Sequence, residues 1–349
     1  MRLRCDLPAH NSVRYTSRNQ VKMKTPTTKL MFDLPAHNSV PDKYIMPAEK
    51  RPRRHELVDD GLSVALPVVD LKKGRPQVAR DILEAGKEFG FFQARKGLAA
   101  SACTVVNHGV GEDVVQGFRE VAAEFLRLPE EAKLEYYSED QSKAFRVISG
   151  CITSHKLMNE WPTQPEIFRE RLANYSVAVQ ELAWKLLRLI AEELGLDDHN
   201  FFKGDLTGGE TLMNVHYYPL CPDPNLTMGV RPHSDRYIIT VLSQGDVGGL
   251  QAKIGGRWIG VEPIHNAFVI NFGLQMEARM SVASLVRPRV DCRIGPASVM
   301  VDEETNPPKY RDFTYSEFTE AYEATLGNRE AMLDFFKIQA ITSNGAKND

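Results

Sequence analysis

The chain of 349 residues is long enough for two domains or one large β-rich domain with an appendage. Its 42% hydrophobic and 26% charged content excludes disordered, collagen-like and coiled-coil classes. Lys and Arg number 43 against 46 Asp and Glu, a formal net charge of -3, so phosphate neutralisation has no electrostatic support and no nucleic-acid partner is expected. The apolar runs are short and broken by charge, far below the ~20 residues that span a bilayer, so no membrane partner is expected either.

The first thirty residues carry seven Lys or Arg and one acid, Asp6. The octapeptide Asp6-Leu7-Pro8-Ala9-His10-Asn11-Ser12-Val13 recurs unchanged at 33–40, too short a unit for a solenoid. Residues 1–50 are therefore expected to be a variable, disordered extension, with order beginning near Val40. Leu66 to Leu71 is a β-branched run that suits a strand. Pro76 opens a helix with Val78, Ile82 and Ala85 on one side. Phe91-Phe92-Gln93 and Val105 to Gly109 read as buried strand, separated by residues 94–104. Phe118, Val121, Ala122 and Phe125 mark a helix that stops near Pro129. The strongest helix runs from about Pro165 to Leu194, striped by Val179, Leu182, Ala183, Leu186 and Ile190 and capped by Gly195.

Beyond Thr211 the period shortens to strands. Leu250 to Ile254 and Trp258 to Val261 flank a Gly255-Gly256 hairpin signal, and Ala267 to Phe272 reads as a buried strand. This pattern predicts an α+β protein, a helical N-terminal region on a β-barrel or jelly roll. The five cysteines form no CxxC pair, and no secretory leader is visible, which fits a reducing compartment, the cytoplasm.

Few residues suggest chemistry by themselves. His233-Ser234-Asp235 is the chain's one His-x-Asp, and on a strand the two side chains share a face and can bind one ion; a surface turn fits as well. Arg279-Met280-Ser281 can fork onto a carboxylate, or be a solvated arginine. Tyr218 reads equally as core packing, and His216 as a strand residue facing outward or as part of a site.

The order of these pieces is more telling. Phe89-Gly90-Phe91-Phe92-Gln93, Val106-Asn107-His108-Gly109-Val110, Tyr218-Pro219-Leu220-Cys221-Pro222, His233-Ser234-Asp235, Asn266 to Gly273 and Arg279-Met280-Ser281 together resemble the plant 2-oxoglutarate and iron(II)-dependent dioxygenases. The likeness extends over roughly residues 40–340 and is strongest to the hyoscyamine 6-dioxygenase and mugineic-acid dioxygenase group. It implies a double-stranded β-helix (jelly-roll) core. It divides the chain into an N-terminal dioxygenase region at 62–165 with an insert at 94–104, a long helix and linker at 166–208, a jelly roll at 209–300 and a C-terminal helical segment at 301–349.

The resemblance also implies an oxidoreductase that hydroxylates or desaturates a plant specialised small molecule as a monomer. Its cofactors would be Fe(II), 2-oxoglutarate and O2, with ascorbate as an auxiliary reductant. His233 and Asp235 match the first two iron ligands, and Arg279, Ser281 and Tyr218 match the residues that hold the distal carboxylate of 2-oxoglutarate. The chain departs from the family at the third ligand. Gly273-Leu274-Gln275-Met276-Glu277-Ala278 runs directly into Arg279, without the segment that carries the distal His in relatives, and His265 is the one histidine left after Asp235. His265 is a weak substitute, standing in a Pro263-Ile264-His265-Asn266 loop. The loss is expected to remove a strand pair and leave barrel edges unpaired. The 94–104 insert would interrupt a buried strand, and only fourteen residues separate Arg146 from Trp161. The alternative reading is therefore a catalytically inactive, truncated or mis-spliced relative that at most binds 2-oxoglutarate or a small molecule.

Overall fold

The computed structural model describes residues 39–48, 51, 66–89, 102–140, 143–148, 151–154, 158–195, 211–218, 221–223, 225–230, 235, 238–254, 257–271, 281–286, 288–296, 301–302, 305–325 and 329–338. The octapeptide at 6–13, Phe91-Phe92-Gln93, His233 and Arg279 lie outside them.

Helices form where apolar residues recur every three or four positions. Helix α1 (Arg75–Phe89) buries Val78, Ala79, Ile82 and Ala85, and α2 (Glu112–Arg127) buries Val115, Phe118, Val121, Ala122 and Phe125. A short α3 (Glu130–Lys133) follows, and its Lys133 is fully buried with Nζ donating to the Leu126 carbonyl at 2.6 Å. That bond satisfies one of the carbonyls left open at the C-terminal end of α2. Helix α4 (Phe168–Glu193) begins three residues later than Pro165, and Gly195, at φ +68, sits beyond its end as the cap required. Phe118 of α2 stacks on Tyr175 of α4 with centroids 4.8 Å apart.

Eight strands form one sheet in the order β1-β2-β9-β6-β10-β5-β4-β3. They are β1 (Val68–Asp70), β2 (Ala102–Val106), β3 (Phe145–Ile148), β4 (Cys151–Ser154), β5 (Thr211–His216), β6 (Ile239–Ser243), β9 (Phe268–Asn271) and β10 (Ser281–Val286). Strands β7 (Gln251–Ile254) and β8 (Arg257–Gly260) form a separate hairpin with Ile254 opposite Arg257. Two-residue alternation gives the large sheet two different faces. Val105, Val147, Ile152, Met213, Val215, Val241 and Ile270 pack into the cluster with α1, α2 and α4. Leu212, Leu242 and Val269 turn the other way, toward Leu250 and Ala252 of the hairpin strands and toward Tyr322 and Met332. Those last two come from α5 (Tyr315–Ala324) and α6 (Arg329–Asp334).

Three expectations change. The strand expected over Val105 to Gly109 ends at Val106, because Asn107 (φ +53) and Gly109 (φ +89) take left-handed backbone that cannot continue a strand. The tail of the 94–104 insert is itself strand: Ala102, Cys103 and Thr104 pair with Asn271, Ile270 and Val269, so the insert ends by supplying three of the five residues of β2. Among the described residues β10 pairs with β5 on one side and β6 on the other, so the shortened run before it does not break the middle of the large sheet, whose order ends in β1 and β3.

Candidate active site

The face of the large sheet turned away from α1, α2 and α4 carries the polar residues. On β5, Met213 and Val215 belong to the helix-facing cluster, so Asn214 and His216 occupy the opposite face. Both are buried, at 2% and 7% exposure, which overturns the outward-facing reading of His216. The His216 ring stacks on Tyr218, centroids 6.0 Å apart and planes 14° from parallel. Register sets Ser281 of β10 directly opposite His216, at the end of this face where His216 and Tyr218 stack.

Asp235 is tethered at the other end. The Thr240 hydroxyl donates to its carboxylate at 2.7 Å. Thr240 is opposite Leu285, four residues along β10 from Ser281, which is roughly 13 Å at the rise of a strand. Between these ends runs the row containing Asn214. Its Oδ1 accepts from Thr153 Oγ1 at 3.1 Å.

His265 is not brought to this face. It sits at the surface with its side chain 73% exposed, Nε2 lying 2.8 Å from Glu112 and Nδ1 3.3 Å from Asp246. The hydrogen bond to Asp246, then that to Glu112, raises its pKa above the ordinary imidazole value. The reading of His265 as a substitute iron ligand is corrected on this ground: two acids on the rim of α2 and of the β6–β7 connection already hold both ring nitrogens. Among the described residues, no group of three or more His, Cys, Asp or Glu side chains could hold a metal ion.

A buried histidine lies nearby with a structural task. His108 Nδ1 accepts from the Val110 amide at 3.1 Å, which fixes the proton on Nε2, and Nε2 lies 2.8 Å from the Asn266 carbonyl. Burial pushes its pKa below the ordinary value, the bond to Asn266 opposing. The ring thereby ties together two turns, each with a left-handed asparagine, Asn107 and Asn266.

Asp235 suits Fe(II) by its donor chemistry. It is a carboxylate oriented by a neighbouring hydroxyl, and an imidazole, His233, stands two residues before it in the chain. Sequence reasoning missed Thr240, Asn214, Thr153 and Arg146. The available signal was polar residues alternating with apolar ones inside strands otherwise rich in Val, Ile and Met.

Comparison with known proteins agrees with this architecture. Residues 209–288 match the model of the 2OG-Fe(II) oxygenase superfamily, and residues 66–156 match that of the non-haem dioxygenase in morphine synthesis N-terminal region. Mugineic-acid 3-dioxygenase of Hordeum vulgare is 37% identical over 317 residues, covering 80% of this chain and 88% of that protein. Hyoscyamine 6-dioxygenase of Hyoscyamus niger is 31% identical over 349 residues, covering 86% and 96%. The crystal structure of JOX2 in complex with 2OG, Fe and JA superposes with a TM-score of 0.72 at 24% identity, covering 90% of this chain and 99% of that one. The chain belongs to the 2OG-Fe(II) oxygenase superfamily, within the plant dioxygenases that hydroxylate specialised metabolites with Fe(II) and 2-oxoglutarate. Its core is accordingly a jelly roll with a helical N-terminal region, and small-molecule substrates are what this family takes.

Proposed function

We propose that this chain hydroxylates or desaturates a plant specialised small molecule with His233 and Asp235 as its protein iron ligands. Arg279, Ser281 and Tyr218 take the distal carboxylate of 2-oxoglutarate. The observation that carries this reading is the arrangement of one sheet face, with Asp235 fixed by Thr240 at one end and the Tyr218, His216 and Ser281 group at the other. Bound Fe(II) supplies the O2 chemistry that removes hydrogen from the substrate while 2-oxoglutarate is converted to succinate and CO2. The residues of the chain bind, orient and exclude water. Thr240 aims the Asp235 carboxylate, Ser281 and Arg279 donate to the oxoacid, and Leu212, Leu242 and Val269 line the same face with apolar surface. No described helix is long and apolar enough to cross a membrane. A monomer working in the cytosol completes the proposal; among the described residues Cys103, Cys221 and Cys292 are not in disulfides.

Anaerobic addition of 2-oxoglutarate to the Fe(II)-loaded chain, followed by succinate assay in air, tests this. The expected result is a metal-dependent visible absorption band and succinate release. A chain that gives neither is the inactive relative, and the proposal fails.

A further inference from the structure

Strands β3, β4 and β5 lie side by side at one edge of the large sheet, and their register sets Arg146 opposite Thr153 and Thr153 opposite Asn214. Phe145, Val147, Ile152, Met213 and Val215 alternate with them and point into the helix-facing cluster. The three polar side chains therefore share the face that carries Tyr218 and His216. All three are buried, Arg146 at 7%, Thr153 at 7% and Asn214 at 2% exposure. A guanidinium is seldom buried to this degree without an anionic or hydrogen-bonding purpose. The second observation is independent. Thr153 occupies the Asn214 oxygen, while the Asn214 amide nitrogen, equally buried, has no hydrogen-bond partner among the described residues. Buried donors are nearly always matched, so this one has bonding capacity left for an acceptor beyond the described residues, and a ligand can supply it.

We propose that Arg146, Thr153 and Asn214 form the substrate subsite of the active face and that it receives a carboxylate of an anionic small molecule. The inference rests on the function proposed above and names the class of its substrate. Adjacent strands are ~4.8 Å apart, so Arg146 and Asn214 stand roughly 10 Å from each other across Thr153. A long arginine and a short amide can close on one carboxylate over that span, the guanidinium fork taking one or both oxygens and the amide the remaining lone pair. Strand β3 ends the sheet order, so Arg146 is the charged end of the row. The next register neighbour inward is Ala283, and two residues from Asn214 stands His216, so the row leads toward the residues assigned to 2-oxoglutarate.

The test uses the full chain loaded anaerobically with Fe(II) and 2-oxoglutarate and titrated calorimetrically with a panel of plant carboxylic acids, mugineic acid among them, each beside its methyl ester. A neutral flavanone serves as a further probe. The wild-type chain is expected to bind at least one acid tenfold or more tighter than its ester. Arg146→Met is expected to weaken that acid about tenfold or more and to leave the ester unmoved. Arg146→Lys, which keeps the charge without the fork, should fall between them and guards against a Met variant that does not fold. Asn214→Leu should weaken the acid to a smaller degree. Equal binding of acid and ester, binding of the flavanone alone, no acid bound at all, or unchanged discrimination in the Arg146 and Asn214 variants would each overturn the subsite. The 2-oxoglutarate absorption band, read before any acid is added, separates the two proposals. Its absence in the wild-type chain defeats the enzymatic reading, whereas its presence without acid discrimination defeats the subsite alone.

Discussion

Replacing His108 by Ala should destabilise the chain by about 3 kcal/mol at pH 7.5. The figure combines two buried hydrogen bonds of about 1 kcal/mol each with an edge-to-face contact of about 1 kcal/mol. The bonds are those to the Val110 amide and the Asn266 carbonyl, and the contact is with Phe268, whose ring centroid is 4.7 Å away. The effect depends on pH in a definite direction. Burial lowers the folded pKa of His108 below its ordinary value of 6.5, so its stabilisation is complete above that value. It declines as pH falls, because the unfolded chain takes up the proton first. At pH 5.5 the difference between wild type and His108→Ala should therefore have shrunk, by at most about 1.4 kcal/mol. His265 works in the same window with the opposite sign. Asp246 and Glu112 raise its pKa, so its contribution is present below 6.5 and fades as pH rises through the folded value. Comparing the two chains at each pH cancels that background. Urea unfolding followed by tryptophan fluorescence at pH 7.5, 6.5 and 5.5 measures the difference. A variant within about 0.5 kcal/mol of wild type, or a difference that stays constant with pH, would refute the assignment of a neutral, doubly bonded imidazole.

Other consequences can be checked with single substitutions. Thr240→Val removes the hydroxyl that holds Asp235, and Fe(II) affinity measured by anaerobic competition with a chelating dye should fall roughly 10- to 100-fold; unchanged affinity would separate Thr240 from the metal site. Cys103 is buried on β2 with its thiol pKa pushed up to about 12, so alkylation at pH 8, followed by peptide mass spectrometry, should mark the half-buried Cys221 well before it. Equal rates at the two positions would contradict that burial. Thr314→Ala breaks the capping box at the start of α5, where Thr314 Oγ1 accepts from the Glu317 amide at 3.2 Å and Glu317 Oε2 accepts from the Thr314 amide at 2.7 Å. A loss of about 1 kcal/mol in urea unfolding is expected, with Thr314→Ser close to wild type.

The parts of the fold that show in the residues are those whose pattern is local. The Phe118, Val121, Ala122, Phe125 stripe marks α2, and Gly255-Gly256 between two apolar runs marks the β7–β8 hairpin. Non-local choices left no such trace. Nothing in Ala102-Cys103-Thr104 announces that β2 borrows them, because the partners that make them a strand, Val269 to Asn271, are far away in the chain. The candidate site divides in the same way. His233, Asp235, Tyr218, Arg279 and Ser281 were visible as motifs, whereas Arg146, Thr153 and Asn214 become a row only once three strands pair. His265 enters as a weak substitute ligand because it is the one histidine after Asp235, and its acidic partner Glu112, 153 residues away, shows only in the fold.

The sheet order also bears on how separable the two halves of the molecule are. Strand β2, from the N-terminal region, pairs with β9, and β4, from the same region, pairs with β5, so the jelly-roll strands are flanked on both sides by strands from the first half of the chain. Cutting between the two matched family segments would strip the core of both its borders and expose the ladders of β9 and β5 as raw edges. The two halves thus share one hydrogen-bonded sheet, in which β10, the last of its strands in chain order, closes between β5 and β6. A chain that lacked residues 281–286 would leave β5 and β6 without the strand that joins them, and the large sheet would fall into two pieces, each with a newly exposed ladder.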